Sequence, residues 1–256
     1  MRAPVFLADP ADLARDTIVL AGAEGRHATT VRRLRPGEHV DITDGAGTMA
    51  ACVITTARPG VLELEVTGRA VAPAPVPRLT VVQAIPKGDR GELAIETMTE
   101  VGVDVLVPWA AERSVAVWRG DKAARGAARW RSTALAAAKQ ARRSWLPQVT
   151  EVASTAEVAA RVKAIVSDGQ GLAVVLDPDA PQPLPAVAGA PGLADIVLLV
   201  GPEGGISPAE AGVFAAAGAV GARLGPTVLR ASSAGAIAAA LVMTAAGRWD
   251  ERTRCW

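Results

Sequence analysis

Residues 196–206, reading Ile-Val-Leu-Leu-Val-Gly-Pro-Glu-Gly-Gly-Ile, restrict the architecture more than any other stretch. The unbroken aliphatic run 196–200 suits a strand covered on both faces, as in parallel sheets flanked by helices. A glycine loop follows at once. Ser207-Pro-Ala-Glu210 then predicts a helix start, with Ser207 as N-cap, Pro208 in the first turn where a missing N–H costs nothing, and Glu210 closing a capping box. Strand, glycine loop and helix in that order make the usual geometry of a nucleotide or cofactor site. The loop has neither Gly-x-Gly-x-x-Gly nor the Lys-Ser/Thr pair of a P-loop, and Pro202 removes an N–H from any phosphate cradle. Gly201, Gly204 and Gly205 admit something flat against the backbone and Glu203 adds a carboxylate, which favours an adenine and ribose over a pyrophosphate. A tight turn without a ligand is the competing reading of this pattern taken alone.

The chain ahead of this unit divides at 71–77, where prolines at alternate positions hold an extended segment that pairs with nothing. We expect a first domain over 1–72, a linker over 73–78 and a second domain over 79–256. Strand candidates at 5–7, 17–20, 39–43, 49–55 and 61–66, with turns at Asp44-Gly45 and Pro59-Gly60, predict a compact β-barrel. One helix, 25–34, gathers Arg26, His27, Arg32 and Arg33, with Arg35 just beyond it. Such a concentration fits nucleic-acid backbone, and a solvated helix face is the alternative. From residue 79 the pattern becomes alternating strand and helix, with strands at 79–85, 104–108, 173–176, 196–200 and 220–224. This is an α/β domain with a mostly parallel sheet. Asp89 and Glu92 predict a capping box for a helix closed by Gly102. A long helix over 126–144 carries Trp130, Ala134, Ala137, Ala138, Ala141 and Trp145 on one stripe, with Lys139, Gln140, Arg142 and Arg143 beside it. Lys87, Arg113 and Arg119 join these in a second basic group.

Charge and composition exclude several classes. Twenty-seven Lys and Arg face 26 Asp and Glu, so any polyanionic partner must be met by local clusters. Cys52 and Cys255 are isolated, and neither His27 nor His39 has ligands at metal spacing, so we expect no disulfide framework and no metal. No apolar run approaches membrane-spanning length and none marks a signal core, which makes the cytoplasm the expected compartment.

A third stretch, Leu224-Gly-Pro-Thr-Val-Leu-Arg-Ala-Ser-Ser-Ala234, follows a strand and leads into a small-residue helix over 234–246, with a Ser pair able to cap it. The loops beginning at Leu176, Gly201 and Leu224 all start where a strand ends, so in a parallel sheet they share one crevice.

Taken in order, Gly201-Pro-Glu-Gly-Gly205, Ser207-x-x-Glu210 and Leu224-Gly-Pro-x-Val-Leu-Arg230 resemble the cofactor end of the SPOUT class of methyltransferases. His27-x-x-x-Val-x-Arg-x-Arg-Pro-Gly37, Lys87, Glu100-Val-Gly102, Glu112-Arg-Ser114, Trp130 through Gln140, and Arg143 to Pro147 narrow the resemblance to the 16S ribosomal RNA uracil-N3 methyltransferase family, over nearly the whole chain. The resemblance implies a PUA-like RNA-binding barrel and a SPOUT-type parallel sheet whose last strand and helix thread a trefoil knot, an exception to unknotted topology. It implies a homodimer that methylates one uridine of the small ribosomal subunit's RNA. S-adenosyl-L-methionine would be held by Leu176 and Asp177 of the first loop. Leu199, Val200, Gly201, Pro202, Glu203, Gly204 and Gly205 would hold it from the second, and Leu224, Gly225, Pro226, Val228 and Leu229 from the third. Arg230 and Glu203 would be catalytic. Arg26, His27, Arg32, Arg33, Arg35, Lys87, Arg113, Gln140, Arg142 and Arg143 would contact RNA. One departure stands out: the family's Leu-Arg-Thr-Glu-Thr-Ala is here Leu229-Arg-Ala-Ser-Ser-Ala234, with Ser232 at the acidic position. Two rivals from other classes are a non-catalytic RNA-binding or ribosome-assembly protein that keeps the fold, supported by Ser232, and a nicotinamide-dependent oxidoreductase, disfavoured by the missing glycine fingerprint.

Overall fold

The computed structural model describes residues 3–249, which form two compact units. Among the described residues, one takes in 3–74 together with Ala138–Leu146, and the other takes in Pro75–Ala137 and 147–249. Cys255, read above as isolated, lies outside the described residues.

The first unit contains β1 (Val5–Leu7), α1 (Pro10–Leu13), β2 (Thr17–Leu20), α2 (Gly22–Arg26), a π-helical turn (His27–Val31), β3 (His39–Thr43), β4 (Thr48–Arg58) and β5 (Val61–Val71). The strands order as β1-β3-β4-β5-β2, with β1 parallel to β3 and every other pair antiparallel. No ladder joins the edge strands β1 and β2 among the described residues, yet Phe6 and Ile18 share one core with Ile42, Ile54 and Leu64. The sheet therefore wraps around a common interior without closing into a hydrogen-bonded barrel. The period of two sets the inner face: Leu62 and Leu64 are buried while Glu65 is exposed. Each such leucine contributes about 1.5–3 kcal/mol by burial. Cys52 is part of this interior at 1% exposure, and burial pushes its thiol up to about 11. The basic helix expected over 25–34 is broken: α2 passes into the π-turn, and Arg33 takes φ 54°.

Residues 138–146 pack entirely with this unit. Lys139 Nζ lies 2.7 Å from both carboxylate oxygens of Glu24 and 5.4 Å from the centre of the Phe6 ring. Arg142 pairs with Asp41 and donates to the Ala3 carbonyl. Trp145 Nε1 donates to the Ala72 carbonyl at 3.1 Å, and Leu146 N to the Gly45 carbonyl at 2.9 Å.

The second unit contains β6 (Arg78–Ala84), α3 (Arg90–Val101), β7 (Val105–Trp109), most of α4 (Asp121–Gln140), β8 (Gln148–Val149), α5 (Thr155–Val166), β9 (Gly171–Leu176), α6 (Leu184–Ala188), β10 (Asp195–Val200), α7 (Pro208–Ala216), β11 (Val220–Ala222) and α8 (Ala231–Ala245). Six parallel strands order as β11-β9-β10-β6-β7-β8. Both faces are covered, which explains the continuous aliphatic run of β10. Ile196 and Leu198 belong to the core shared with α3 and α8; Val197 and Leu199 belong to the one shared with α5 and α7.

Several expected boundaries move. Asp89 caps α3 by position only: it has helical φ and ψ and no side-chain capping bond, and Glu92 pairs with Arg129 at 3.0 Å instead of closing a box. Gly102 does close α3, at φ 115°. The long helix starts at Asp121 rather than near 126 and stops at Gln140, since Arg142 takes φ 60°. The last helix begins at Ala231 with Arg230 as N-cap, so Ser232 and Ser233 lie in its first turn and do not cap it. α5 was not expected, although Ser154 and Glu157 form a complete capping box before it. The Ser154 backbone N–H and hydroxyl hold the Glu157 carboxyl below its ordinary value.

Candidate active site at the ends of three strands

The chain runs outward through β6, β7 and β8, then returns to the far side of β6 with β9, β10 and β11. A parallel sheet opens a crevice at such a reversal, outside the carboxyl ends of its strands. The loops after β9, β10 and β11, which are neighbours in the sheet, line one cleft of about 560 Å³. That lies within the roughly 300–1,000 Å³ of small-molecule sites.

From the first loop come Leu176, Asp177 and Asp179. Asp177 accepts the Asp179 N–H at 2.9 Å, and its own N–H donates to the Ala222 carbonyl at 3.0 Å, tying this loop to β11. From the second come Val200, Gly201, Pro202, Glu203, Gly205 and Ile206. Ser207 and Glu210 form the predicted capping box, so the loop ends on a fixed helix. Gly201 has no room for a Cβ, which would meet the Ile206 side chain at 2.7 Å; over Gly205, at φ 72°, that position is open. From the third come Leu224, Gly225, Val228, Leu229 and Arg230. Nothing lies within 4 Å of where a Gly225 Cβ would stand. Open backbone at Gly205 and Gly225, with aliphatic side chains between, fits a flat ring system, and the exposed carboxylates of Asp177, Asp179 and Glu203 fit a ligand carrying hydroxyls and positive charge.

Three residues expected to hold the donor are not among those lining the cleft. Leu199 is fully buried in the core on the α5 side, as strand alternation requires of the neighbour of Val200. Gly204 is turned to Arg113, whose guanidinium donates to its carbonyl at 3.2 Å. Pro226 is exposed and outside the cleft lining. Arg230 is exposed at the rim. Glu203 Oε1 lies 3.5 Å from the Lys87 N–H, so Lys87 and Arg113 both approach the glycine loop. The remaining expected RNA contacts, Arg26, His27, Arg32, Arg33, Arg35, Gln140, Arg142 and Arg143, all fall in the first unit. Arg26, Arg32, Arg33, Arg35 and Gln140 are exposed there; His27 is half-buried with its ring edge-on to Phe6. Arg142 is paired with Asp41, a partner 101 residues away that only the fold brings within reach. No group of three or more His, Cys, Asp or Glu is arranged to hold a metal among the described residues.

The RNA methyltransferase domain family matches residues 72–243, and the RNA methyltransferase PUA domain family matches 20–66. The ribosomal RNA small subunit methyltransferase E of Mycobacterium bovis is 43% identical over 250 residues, 98% of this chain and 95% of that one. The chain belongs to the small-subunit ribosomal RNA methyltransferase E family. The member of this family from Bacillus subtilis is 27% identical over 85% of this chain and 86% of its own. A crystal structure of the family's Neisseria gonorrhoeae member, bound to S-adenosyl methionine, aligns at TM-score 0.84 and 25% identity over 96% of this chain and 98% of that one. The chain thus pairs a PUA-type unit with an RNA methyltransferase domain built on a six-stranded parallel sheet.

Proposed function

We propose that this chain transfers the methyl group of S-adenosyl-L-methionine to N3 of one uridine in the 16S RNA of the small ribosomal subunit, in the cytoplasm. What carries the reading is the cleft itself: three adjacent strand ends present open backbone at Gly205 and Gly225 and aliphatic walls, with Arg230 at the rim. When bound, the donor supplies an electrophilic methyl group on a positively charged sulfur.

The chain's own residues have two tasks. N3 of uridine carries a proton and is a poor nucleophile at neutral pH, so the proton must leave and the resulting anion must be stabilised. Arg230 stabilises negative charge on the uracil oxygens. Glu203 is the candidate acceptor of the N3 proton, although its place near the Lys87 N–H also suits anchoring of its own loop. N3 lies on the Watson–Crick edge, so the target base enters the cleft unpaired. Arg26, Arg32, Arg33 and Arg35 hold RNA phosphates from the first unit.

Two further parts of this reading concern α8. It packs on α3, α6, β6 and β10 while the loop before it lines the cleft, which supports threading of 224–245 as a trefoil knot. Its outward Ile237, 41% exposed, supports a homodimer.

The deciding experiment is mass spectrometry of 16S RNA from cells lacking the protein, with purified protein added back. Loss of one N3-methyluridine and its restoration by the protein with S-adenosylmethionine are expected. A methylation pattern that does not change on deletion overturns the reading.

A further inference from the structure

Glu210 caps α7, but its carboxylate does more than a capping box requires. It is 5% exposed. One oxygen, Oε2, accepts the Ser207 N–H at 3.3 Å, which completes the box. The other, Oε1, accepts the Glu112 N–H and the Thr155 hydroxyl, both at 2.9 Å, from segments 98 and 55 residues distant in sequence. The network continues outward: Trp109 Nε1 donates to Thr155 Oγ1 at 3.1 Å, and Ser207 Oγ donates to Glu112 Oε2 at 2.6 Å. No cation pairs with Glu210 among the described residues, so N–H and O–H donors alone solvate its charge.

Packing alone does not require such a network, because apolar side chains of similar size fill the same space without a desolvation cost. What a buried carboxylate adds is direction: it fixes the backbone at Glu112. The next residue, Arg113, donates to the Gly204 carbonyl at 3.2 Å and lies so close that a Cβ on Gly204 would stand 3.2 Å from its own. The 112–113 backbone is thus clamped between Glu210, just after the glycine loop, and Gly204 within it.

We infer that Glu210 is a positioning residue for the donor site: through the Glu112 backbone it sets Arg113, and through Arg113 it holds the Gly204 carbonyl and the shape of loop 201–206. The inference rests on the reading of the cleft as the place of S-adenosylmethionine.

Glu210→Gln tests it, because glutamine keeps the size and the capping-box chemistry but offers one carbonyl oxygen to three donors. Calorimetry with S-adenosylmethionine is run on the wild-type chain, Glu210→Gln, Arg113→Ala and the double variant. The expected result is a Kd for the donor raised about tenfold or more in Glu210→Gln, with the KM for RNA within about twofold of wild type. The double variant loses less than the sum of the singles, since both act through one link. A merely structural role would give additive losses. Unchanged donor affinity in a folded Glu210→Gln, or full additivity, overturns the inference. Should Glu210→Gln fail to fold, Thr155→Val removes a single donor from the same carboxylate; a raised Kd that is non-additive with Arg113→Ala supports the inference, and an unchanged Kd overturns it. A wild-type chain that does not bind the donor sinks the reading of the cleft itself, and with it this inference.

Discussion

Arg230 and Glu203 share a cleft but differ in how much else they hold. Arg230 is the N-cap of α8 without a side-chain capping bond, so truncation leaves the helix start as it is. Arg230→Ala is therefore expected to slow methyl transfer by more than about tenfold, equivalent to about 1.4 kcal/mol of barrier, while donor affinity by calorimetry stays near wild type. Unchanged turnover removes Arg230 from the chemistry. Glu203 meets the Lys87 N–H, so Glu203→Ala separates two roles: a fall in kcat at saturating donor marks a proton acceptor, and a loss confined to donor binding marks a loop anchor. Cys52 gives a third expectation. Its thiol titrates at 9.0 when unfolded and about 11 when folded, so burial of the neutral thiol contributes stability below pH 9 that is lost as pH rises through 11. In the native protein at pH 8 it should resist thiol reagents and react on unfolding. Single residues were legible in the sequence where their chemistry acts locally, as with Ser207 and Glu210 at a helix start. The partners of Glu210 were not, because Thr155 and Glu112 reach it only through the fold.

At the scale of elements, α8 shows why boundaries were harder to read than existence. Its all-small composition announced a buried helix, but Ser232 and Ser233 suggested caps, whereas the turn before them is fixed by the loop 224–230 lining the cleft. The same holds for the long helix, which ends at Gln140 because Arg142 is drawn to Asp41 with its backbone at φ 60°. Propensity carries no trace of such a tertiary demand. Gly235 tests how tightly α8 is seated. Alanine in a helix interior is ordinarily favoured over glycine by about 0.5–1 kcal/mol. Here a Cβ would stand 2.6 Å from Met98 Sδ and 3.3 Å from Gln83 Oε1, both buried, and Gln83 Oε1 has no hydrogen-bond partner among the described residues. Overpacking outweighs propensity, so Gly235→Ala should lower stability by about 1–3 kcal/mol in a denaturant titration. A rise in the midpoint would mean that Met98 yields freely and that α8 has slack.

For the whole molecule the question is which basic residues face RNA, since a chain with 27 cationic and 26 anionic side chains has no net charge to spare. The sequence grouped Arg142 and Arg143 with the catalytic half; the fold instead places 138–146 with the PUA-type unit, where Lys139 and Arg142 are paired with Glu24 and Asp41. These pairs differ physically from the exposed arginines at 26, 32, 33 and 35. An exposed arginine that neutralises a phosphate releases counterions, whereas one already paired to a protein carboxylate has little charge left to offer. Arg32→Ala should therefore lower RNA affinity and reduce the slope of log affinity against log salt by about one. Arg142→Ala should leave that slope unchanged. Its effect appears in thermal unfolding instead, because Asp41, whose side chain is 8% exposed, loses the guanidinium that balances it, at a cost of about 3–5 kcal/mol. Anisotropy titrations of a 16S RNA fragment at several salt concentrations, set beside melting curves of the same variants, distinguish the two. A reduced slope for Arg142→Ala with unaltered melting would return Arg142 to the RNA-facing set and imply that its bond to Asp41 opens when RNA binds.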